Sequence, residues 1–336
     1  MKTVLKLAIV AVLLLALMFL VPSAAFLGFA EEAGEIVEIP MDAERRIHKE
    51  PAVIPIPQES AYLSETEYQD PSLHITMERG TWTAPFRSEK NNYGDHHQGD
   101  TVTTNYWVIR IQIADASQLR TGVSRARERD KWWFSHVNPV LAINGDGFSD
   151  NFNGYGRHIV RQGKLIKHNA SANKDGFDGF DALIIDDKGD FHIIRKSTEE
   201  DFKAFEGTVI NCFSFGPALI MDGEIVEDIT ENKRYCNMFG GEINARRVCI
   251  AQTGPLSYMI VQSDGPDDPD HTGLWIRDFA ELVHSFGDVQ CAYNLDGGSS
   301  VRVLFHGKAI DSPYKNTKSQ KRSNADMIFF ASAWKE

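Results

Sequence analysis

Short β-branched runs punctuated by glycine and aspartate recur along this chain, and that rhythm leaves room for little other than a sheet-rich fold. Trp107-Val108-Ile109-Arg110-Ile111-Gln112-Ile113 is the clearest of them, with β-branched enrichment and partial alternation of apolar and polar positions. Similar runs occupy residues 139–143, 182–185, 191–194, 218–221, 248–251, 257–261, 289–293, 301–305 and 327–330. Asp187-Lys188-Gly189-Asp190 and Asp222-Gly223 read as hairpin turns between neighbouring runs. Residues 124–134 are charged and compatible with a helix. Residues 274–286 carry apolar side chains at helical spacing, with Gly287 as a stop. Many strands with few helices, and no regular alternation of the two, predict a single α+β domain. Its sheets are expected to be mixed and mainly antiparallel, with the polar loops converging at one end.

The 336-residue chain carries a formal net charge of −12, which argues against a nucleic-acid partner because phosphate backbones require a basic surface. A few local arginines still suffice for an anionic small substrate. Lys2 and Lys6 precede an uncharged apolar run at residues 7–30, the pattern of a signal peptide or an N-terminal membrane anchor. Either places the rest of the chain outside the cytoplasm, secreted or held at the membrane. Residues 31–72 are polar and broken by Pro40, Pro51, Pro55 and Pro57, so they read as a linker, with the folded domain at 73–336. Such a compartment permits disulfides. Cys249 and Cys291 lie in strand-like runs that favour buried thiols, and Cys212 and Cys236 flank a loop-rich stretch, which favours them as the bridge among the three pairings that four cysteines allow.

Several polar loops sit at the ends of the apolar runs. Asn294-Leu295-Asp296-Gly297-Gly298-Ser299-Ser300 separates residues 289–293 from 301–305, and alone it reads as a hairpin turn carrying an aspartate. Asn144-Gly145-Asp146-Gly147-Phe148 has a similar form, with Asp150, Asn151 and Asn153 as further oxygen donors. A calcium reading is open there, yet the spacing does not match the helix-loop-helix calcium pattern, which favours substrate contact over metal. Phe213-Ser214-Phe215-Gly216-Pro217 forces a turn whose aromatic rings suit either a core or a sugar face. Arg246 and Arg247 enter a strand, where alternation sends only one of them to a given face. The arginine fork binds phosphate or carboxylate bidentately. Asp264-Gly265 follows the next strand, and Asp267, Asp268, Asp270 and His271 make an acidic loop beyond it. Lys318 to Arg322 form a basic cluster before the last strand.

In this order the motifs resemble those of the phosphodiester glycosidase family, over about residues 107–330. Asn144 to Phe148 match an Asn-Gly-Gly-Phe-Phe-like loop, with Asp146 in place of a glycine. Phe215, Gly216 and Pro217 match a Phe-Gly-Pro turn. Arg246 takes the arginine of a Pro-Arg-Thr-like strand start whose neighbours depart here, at Ala245 and Arg247. Asp264 and Gly265 match an Asp-Gly pair, Asn294 to Ser299 match Asn-Leu-Asp-Gly-Gly-Ser in full, and Arg322 matches a late arginine.

The resemblance implies hydrolysis of a sugar-1-phosphodiester in a cell-surface or extracellular glycan, with cleavage between the anomeric carbon and the phosphate oxygen. Arg246 would bind the phosphate, and Asp296 or Asp264 would stabilise an oxocarbenium-like centre or activate water. Asn144, Gly145, Asp146, Gly216, Asn294, Gly297, Gly298, Ser299 and Arg322 would line the substrate. No cofactor is expected, with calcium at the acidic loop as the alternative. The rival function is a glycan-binding module for exopolysaccharide or cell wall that keeps the loops without turnover.

Overall fold

The computed structural model describes residues 34–39, 54–86, 100–149, 153–154, 158–168, 180–230, 243–265, 273–310 and 323–335. Two units divide the chain, Ile36–Trp334 and Met1–Glu35 with Lys335–Glu336. Of the second, residues 34, 35 and 335 are described.

Within the first unit the strands, in chain order, begin with β1 (Tyr62–Ser64), β2 (Glu67–Gln69), β3 (Leu73–Pro85), β4 (Thr101–Ile113), β5 (Leu119–Glu128) and β6 (Leu141–Asn144). The middle of the chain supplies β7 (Phe148–Ser149), β8 (Asn153–Gly154), β9 (His158–Arg161), β10 (Lys164–His168), β11 (Ala182–Asp186), β12 (Phe191–Ile194) and β13 (Val209–Phe213). The last third adds β14 (Ala218–Met221), β15 (Glu224–Ile225), β16 (Arg247–Gly254), β17 (Ser257–Ser263), β18 (Cys291–Asn294), β19 (Val303–Phe305), β20 (Lys308–Ala309) and β21 (Asn324–Phe330). Helices α1 (Asp130–Val137), α2 (Glu199–Ala204) and α3 (Ile276–His284) complete the picture.

A nine-stranded sheet runs in the order β15-β14-β18-β16-β17-β4-β3-β2-β1, and two five-stranded sheets run β10-β9-β13-β11-β12 and β20-β19-β6-β21-β5. Their ladders are antiparallel, as in an α+β domain with few helices, and no ladder of these sheets among the described residues is parallel. Period-two alternation explains the layering. Along β16, Val248 and Ile250 enter a core shared with Ile143, Val303 and Ile328 of one smaller sheet and Leu183 and Phe213 of the other. Cys249 and Ala251 point the opposite way, into a second core closed by Ile276, Phe279, Leu282 and Val283 of α3. On the outer face of the second smaller sheet, Trp133 and Val137 of α1 cover Ala142, Leu304, Met327 and Phe329.

Four sequence expectations change. Residues 124–128 belong to a strand, because β5 keeps a period-two ladder with β21 as far as Glu128↔Asn324, and the helix begins only at Asp130. The boundary at residue 73 falls inside the fold: β1 and β2 extend the nine-stranded sheet, and Tyr68 is fully buried with its hydroxyl donating to Asp70 Oδ2. The segment 294–300 is no hairpin, since β18 and β19 lie in different sheets and the loop crosses between them. Cys212 is a free thiol, wholly buried beside Ala182 and Ile184, where burial pushes its pKa well up. Its expected partner Cys236 lies outside the described residues.

Candidate functional site

Three adjacent strands, β18-β16-β17, bring three of the polar loops to one edge of the nine-stranded sheet. Asn294 ends β18, Arg247 opens β16 and Ser263 ends β17, with Cys249 opposite Asn294 and Arg247 opposite Ser263. Asp296, Arg246 and Asp264 therefore leave the sheet side by side. Glycine makes the approach close enough. Gly298 N donates to Arg246 O at 2.9 Å, and a Cβ on Gly297 would stand 2.8 Å from that same oxygen. From the other side, a Cβ on Gly265 would stand 2.6 Å from Arg246 N. The Arg246 backbone is thus gripped between the two glycine-bearing loops, and its residue is 2% exposed.

Its neighbour Arg247 has a different task. Arg247 Nε donates to Leu274 O at 3.0 Å and Nη2 to Ile243 O at 2.8 Å, fastening the loop before α3 to the strand entrance. Asp264 is 2% exposed; Gln262 Nε2 donates to its Oδ1 at 3.3 Å, and Arg79 Nη2 lies 3.7 Å from its Oδ2. Arg79 comes from β3, half-exposed and over the Trp107 ring, and no motif in the sequence marks it.

The fourth loop arrives from the other sheet. Asn144 ends β6, and its side chain sews this sheet to the 294–302 loop: Nδ2 donates to Asp296 O at 2.8 Å while Oδ1 accepts from Arg302 N at 2.9 Å. Asp296 N donates in turn to Gly145 O at 3.2 Å. Asn294 Nδ2 likewise donates to Gly216 O at 2.8 Å. Gly216 holds φ +73°, a left-handed turn that favours glycine, and Tyr293 OH fixes the neighbouring chain through Asp181 O at 2.7 Å. These asparagines position the loops, and Asp296 is the half-buried carboxylate they present, beside Gly147 and Phe215. Ser299 sits half-buried in the single helical turn Gly298–Ser300.

A buried charge cluster underlies this edge. Arg161 donates from Nε to Asp326 Oδ1 at 2.8 Å, and from Nη2 to Asp326 Oδ2 at 2.7 Å and Asp146 Oδ2 at 3.0 Å. Its guanidinium lies 3.9 Å above the Phe213 ring, and both carboxylates push its pKa further up against the effect of burial. Asp146 also accepts from Ser214 N at 3.2 Å, and Asp146 N donates to Asp326 Oδ2 at 2.8 Å. Two acids share one cation, so Asp146 is raised from 3.8 to about 6, first by burial and then by the Asp326 charge, with Arg161 opposing. Asp146 Oδ1 has no partner among the described residues. Asp146 stands out in the sequence, whereas Arg161 and Asp326 do not. The available signal was a charged residue inside an otherwise apolar strand, as in Ala325-Asp326-Met327-Ile328.

Arg322, Asp267, Asp268, Asp270 and His271 lie outside the described residues. Among the described residues no group of three or more His, Cys, Asp or Glu is arranged to hold a metal ion. A small polar cavity of about 10 Å³ opens between Asp146, Asp296, Asn144, Ser300, Asn324 and Arg127. A groove of about 1330 Å³ lies at the opposite ends of the same strands, lined by Arg110, Gln112, Gln252, Ser257, Phe286 and Cys291. It is larger, yet none of the converging motifs reaches it.

The profile of the phosphodiester glycosidase family matches residues 138–331, more than half of the chain and the segment that carries all four converging loops. No curated protein matches the sequence. Among solved structures, the chain is similar to the catalytic domain of zebrafish N-acetylglucosamine-1-phosphodiester α-N-acetylglucosaminidase, auto-inhibited by its pro-peptide. That pair is 14% identical, covers 91% of this chain and 97% of the zebrafish one, and has a TM-score of 0.58, a likeness of fold. A hypothetical protein from Synechocystis is also 14% identical, over 69% of this chain and 62% of its own, with a TM-score of 0.44.

Proposed function

Because the chain belongs to the phosphodiester glycosidase family, a family of hydrolases, we propose that it cleaves a sugar-1-phosphodiester between the anomeric carbon and the phosphate oxygen. The observation that carries this reading is the convergence of Asp296, Arg246 and Asp264 at one edge of β18-β16-β17. The chemistry suits these groups. A departing phosphate monoester takes the bond electrons as an anion, so the demand for a general acid is smaller than in ordinary glycoside hydrolysis. Arginine stabilises the charge that builds on the phosphate, and Arg246 is the one held between both carboxylate-bearing loops. Asp296, half-buried and presented by Asn144, acts at the anomeric centre, with Asp264 as the second carboxylate.

The substrate is a glycan phosphodiester met outside the cytoplasm. Support for that location comes from Lys2 and Lys6 before the apolar run at residues 7–30, which lies outside the described residues. Among the described residues no helix is long and apolar enough to cross a membrane.

A panel of sugar-1-phosphodiesters, wall-polymer fragments included, tests the reading by release of free sugar and phosphomonoester. The expected outcome is turnover by the wild type and its loss, with an unchanged melting temperature, in Asp296→Asn. Tight binding of the panel without release of sugar would replace the hydrolase with a glycan-binding module.

A further inference from the structure

Asp146 is a carboxyl group whose two oxygens live in different surroundings. Oδ2 accepts from Arg161 Nη2 and Ser214 N, while Oδ1 has no partner among the described residues, although the side chain is only 4% exposed. A buried, unpartnered carboxylate oxygen is costly, so it calls for a donor. The cavity of about 10 Å³ that Asp146 lines has room for one water, and Asn144, Asp296, Ser300, Asn324 and Arg127 supply the two to four polar partners that a trapped water needs. Asp146, Asp296 and Asp326 all line this space, and the Asp326 oxygens already accept from Arg161 and from the Asp146 amide.

We propose that Asp146 and Asp296 share a proton through one water seated in this cavity, which makes Asp146 a positioning residue that acts through Asp296. The charges around Asp146 favour this. Arg161 balances only one of Asp146 and Asp326, and it keeps its own proton at every working pH. The nearby Cys212 thiol and Tyr293 phenol are held neutral by burial. Arg127 lines the cavity from β5 and offers only donors to it. Asp146 and Asp296, facing one water, titrate as a pair that holds one proton at acid pH and is free to accept one once the pH has risen past the upper midpoint.

The proton accounting rests on the hydrolase reading. As water attacks the anomeric carbon, the phosphate monoester leaves with the C–O electron pair, and the attacking water gives its proton to Asp296. Asp296 passes a proton to the cavity water, which hands one of its own to Asp146 Oδ1 and is unchanged overall. Asp146 later returns the proton by the same route to solvent.

Carbon-13 NMR of aspartate-labelled protein tests the sharing without any substrate. The Asp146 carboxyl is expected to titrate near 6, raised from 3.8 as above, and its midpoint to fall by on the order of one pH unit in Asp296→Asn, because a like charge and a shared proton are lost. An unmoved midpoint overturns the proposal. On a substrate that the wild type turns over, Asp146→Asn should lower kcat about 10²-fold with KM unchanged and remove the pH limb near that titration. A wild-type pH profile in this isosteric variant also overturns it. Absence of wild-type turnover would sink the hydrolase reading and leave the NMR result to decide the proton sharing.

Discussion

Gly145 and Gly147 sit two residues apart in one loop, and the structure assigns them unequal tolerance to a methyl group. Neither is in the left-handed region, so alanine at either site meets no dihedral strain. On Gly145 a Cβ would overlap Asp326 Oδ2 and stand 2.9 Å from its Cγ. That carboxylate is fixed on three sides, by Arg161 Nε at 2.8 Å, Arg161 Nη2 at 2.7 Å and Asp146 N at 2.8 Å. Relieving the overlap means pushing Asp326 off the guanidinium or moving the loop. Overpacking alone costs about 1–3 kcal/mol, and breaking a buried ion pair costs about 3–5 kcal/mol. Partial loss of the pair therefore puts Gly145→Ala at roughly 3 kcal/mol. On Gly147 the nearest atoms are the Phe215 ring edge at 3.0 Å, which yields by a few tenths of an ångström. Gly147→Ala should thus stay within about 1 kcal/mol, partly offset by the reduced freedom of the unfolded chain. Urea unfolding followed by tryptophan fluorescence reads both, and equal midpoints for the two variants would refute the argument that Asp326 is immovable.

Asp146 also gives the fold a pH dependence. Its folded pKa is raised above the unfolded value, so the folded state holds the proton more tightly, and the associated stability is full below 3.8 and lost as pH rises through about 6. The difference between those two values corresponds to about 3 kcal/mol at 1.36 kcal/mol per unit. Asp146→Asn should flatten that decline, and a variant whose unfolding midpoint falls between pH 4 and 7 as steeply as the wild type counts against it. Arg246→Ala should weaken turnover of diesters far more than that of neutral aryl glycosides, and equal losses on both would remove Arg246 as the phosphate ligand.

Strands were legible where neighbours in sequence carry the signal. β-Branched alternation located β4, β16 and β17, and the Asp222-Gly223 turn, with φ of +51° and +82°, joins β14 to β15 as its composition implies. The site was legible as motifs and illegible as a network. Nothing local relates Arg161 to Asp326, which are 165 residues apart, or Asn144 to Arg302, which are 158 apart. Arg246 and Arg247 look alike in the sequence, and only the ladder with β17 and the contact with Leu274 show which one fastens the loop. Residues 124–128 were misread because charged side chains suit an exposed helix as well as a strand whose partner is distant in sequence. The polar stretch before residue 73 concealed β1 and β2 for a similar reason: single buried residues such as Ala61 and Tyr68 are too sparse to form a pattern.

The crossing of the 294–302 segment from one sheet to another makes the site depend on more than one layer. Arg246 and Asp264 need only the nine-stranded sheet to stand side by side, but Asp296 is held in its pose by Asn144, at the end of a strand in a different sheet. The Arg246 and Asp264 edge and the Asp296 carboxylate are therefore fixed by different sheets. The three groups stand together only where the two sheets pack, so the packing between layers, and not either sheet alone, sets the geometry of the edge.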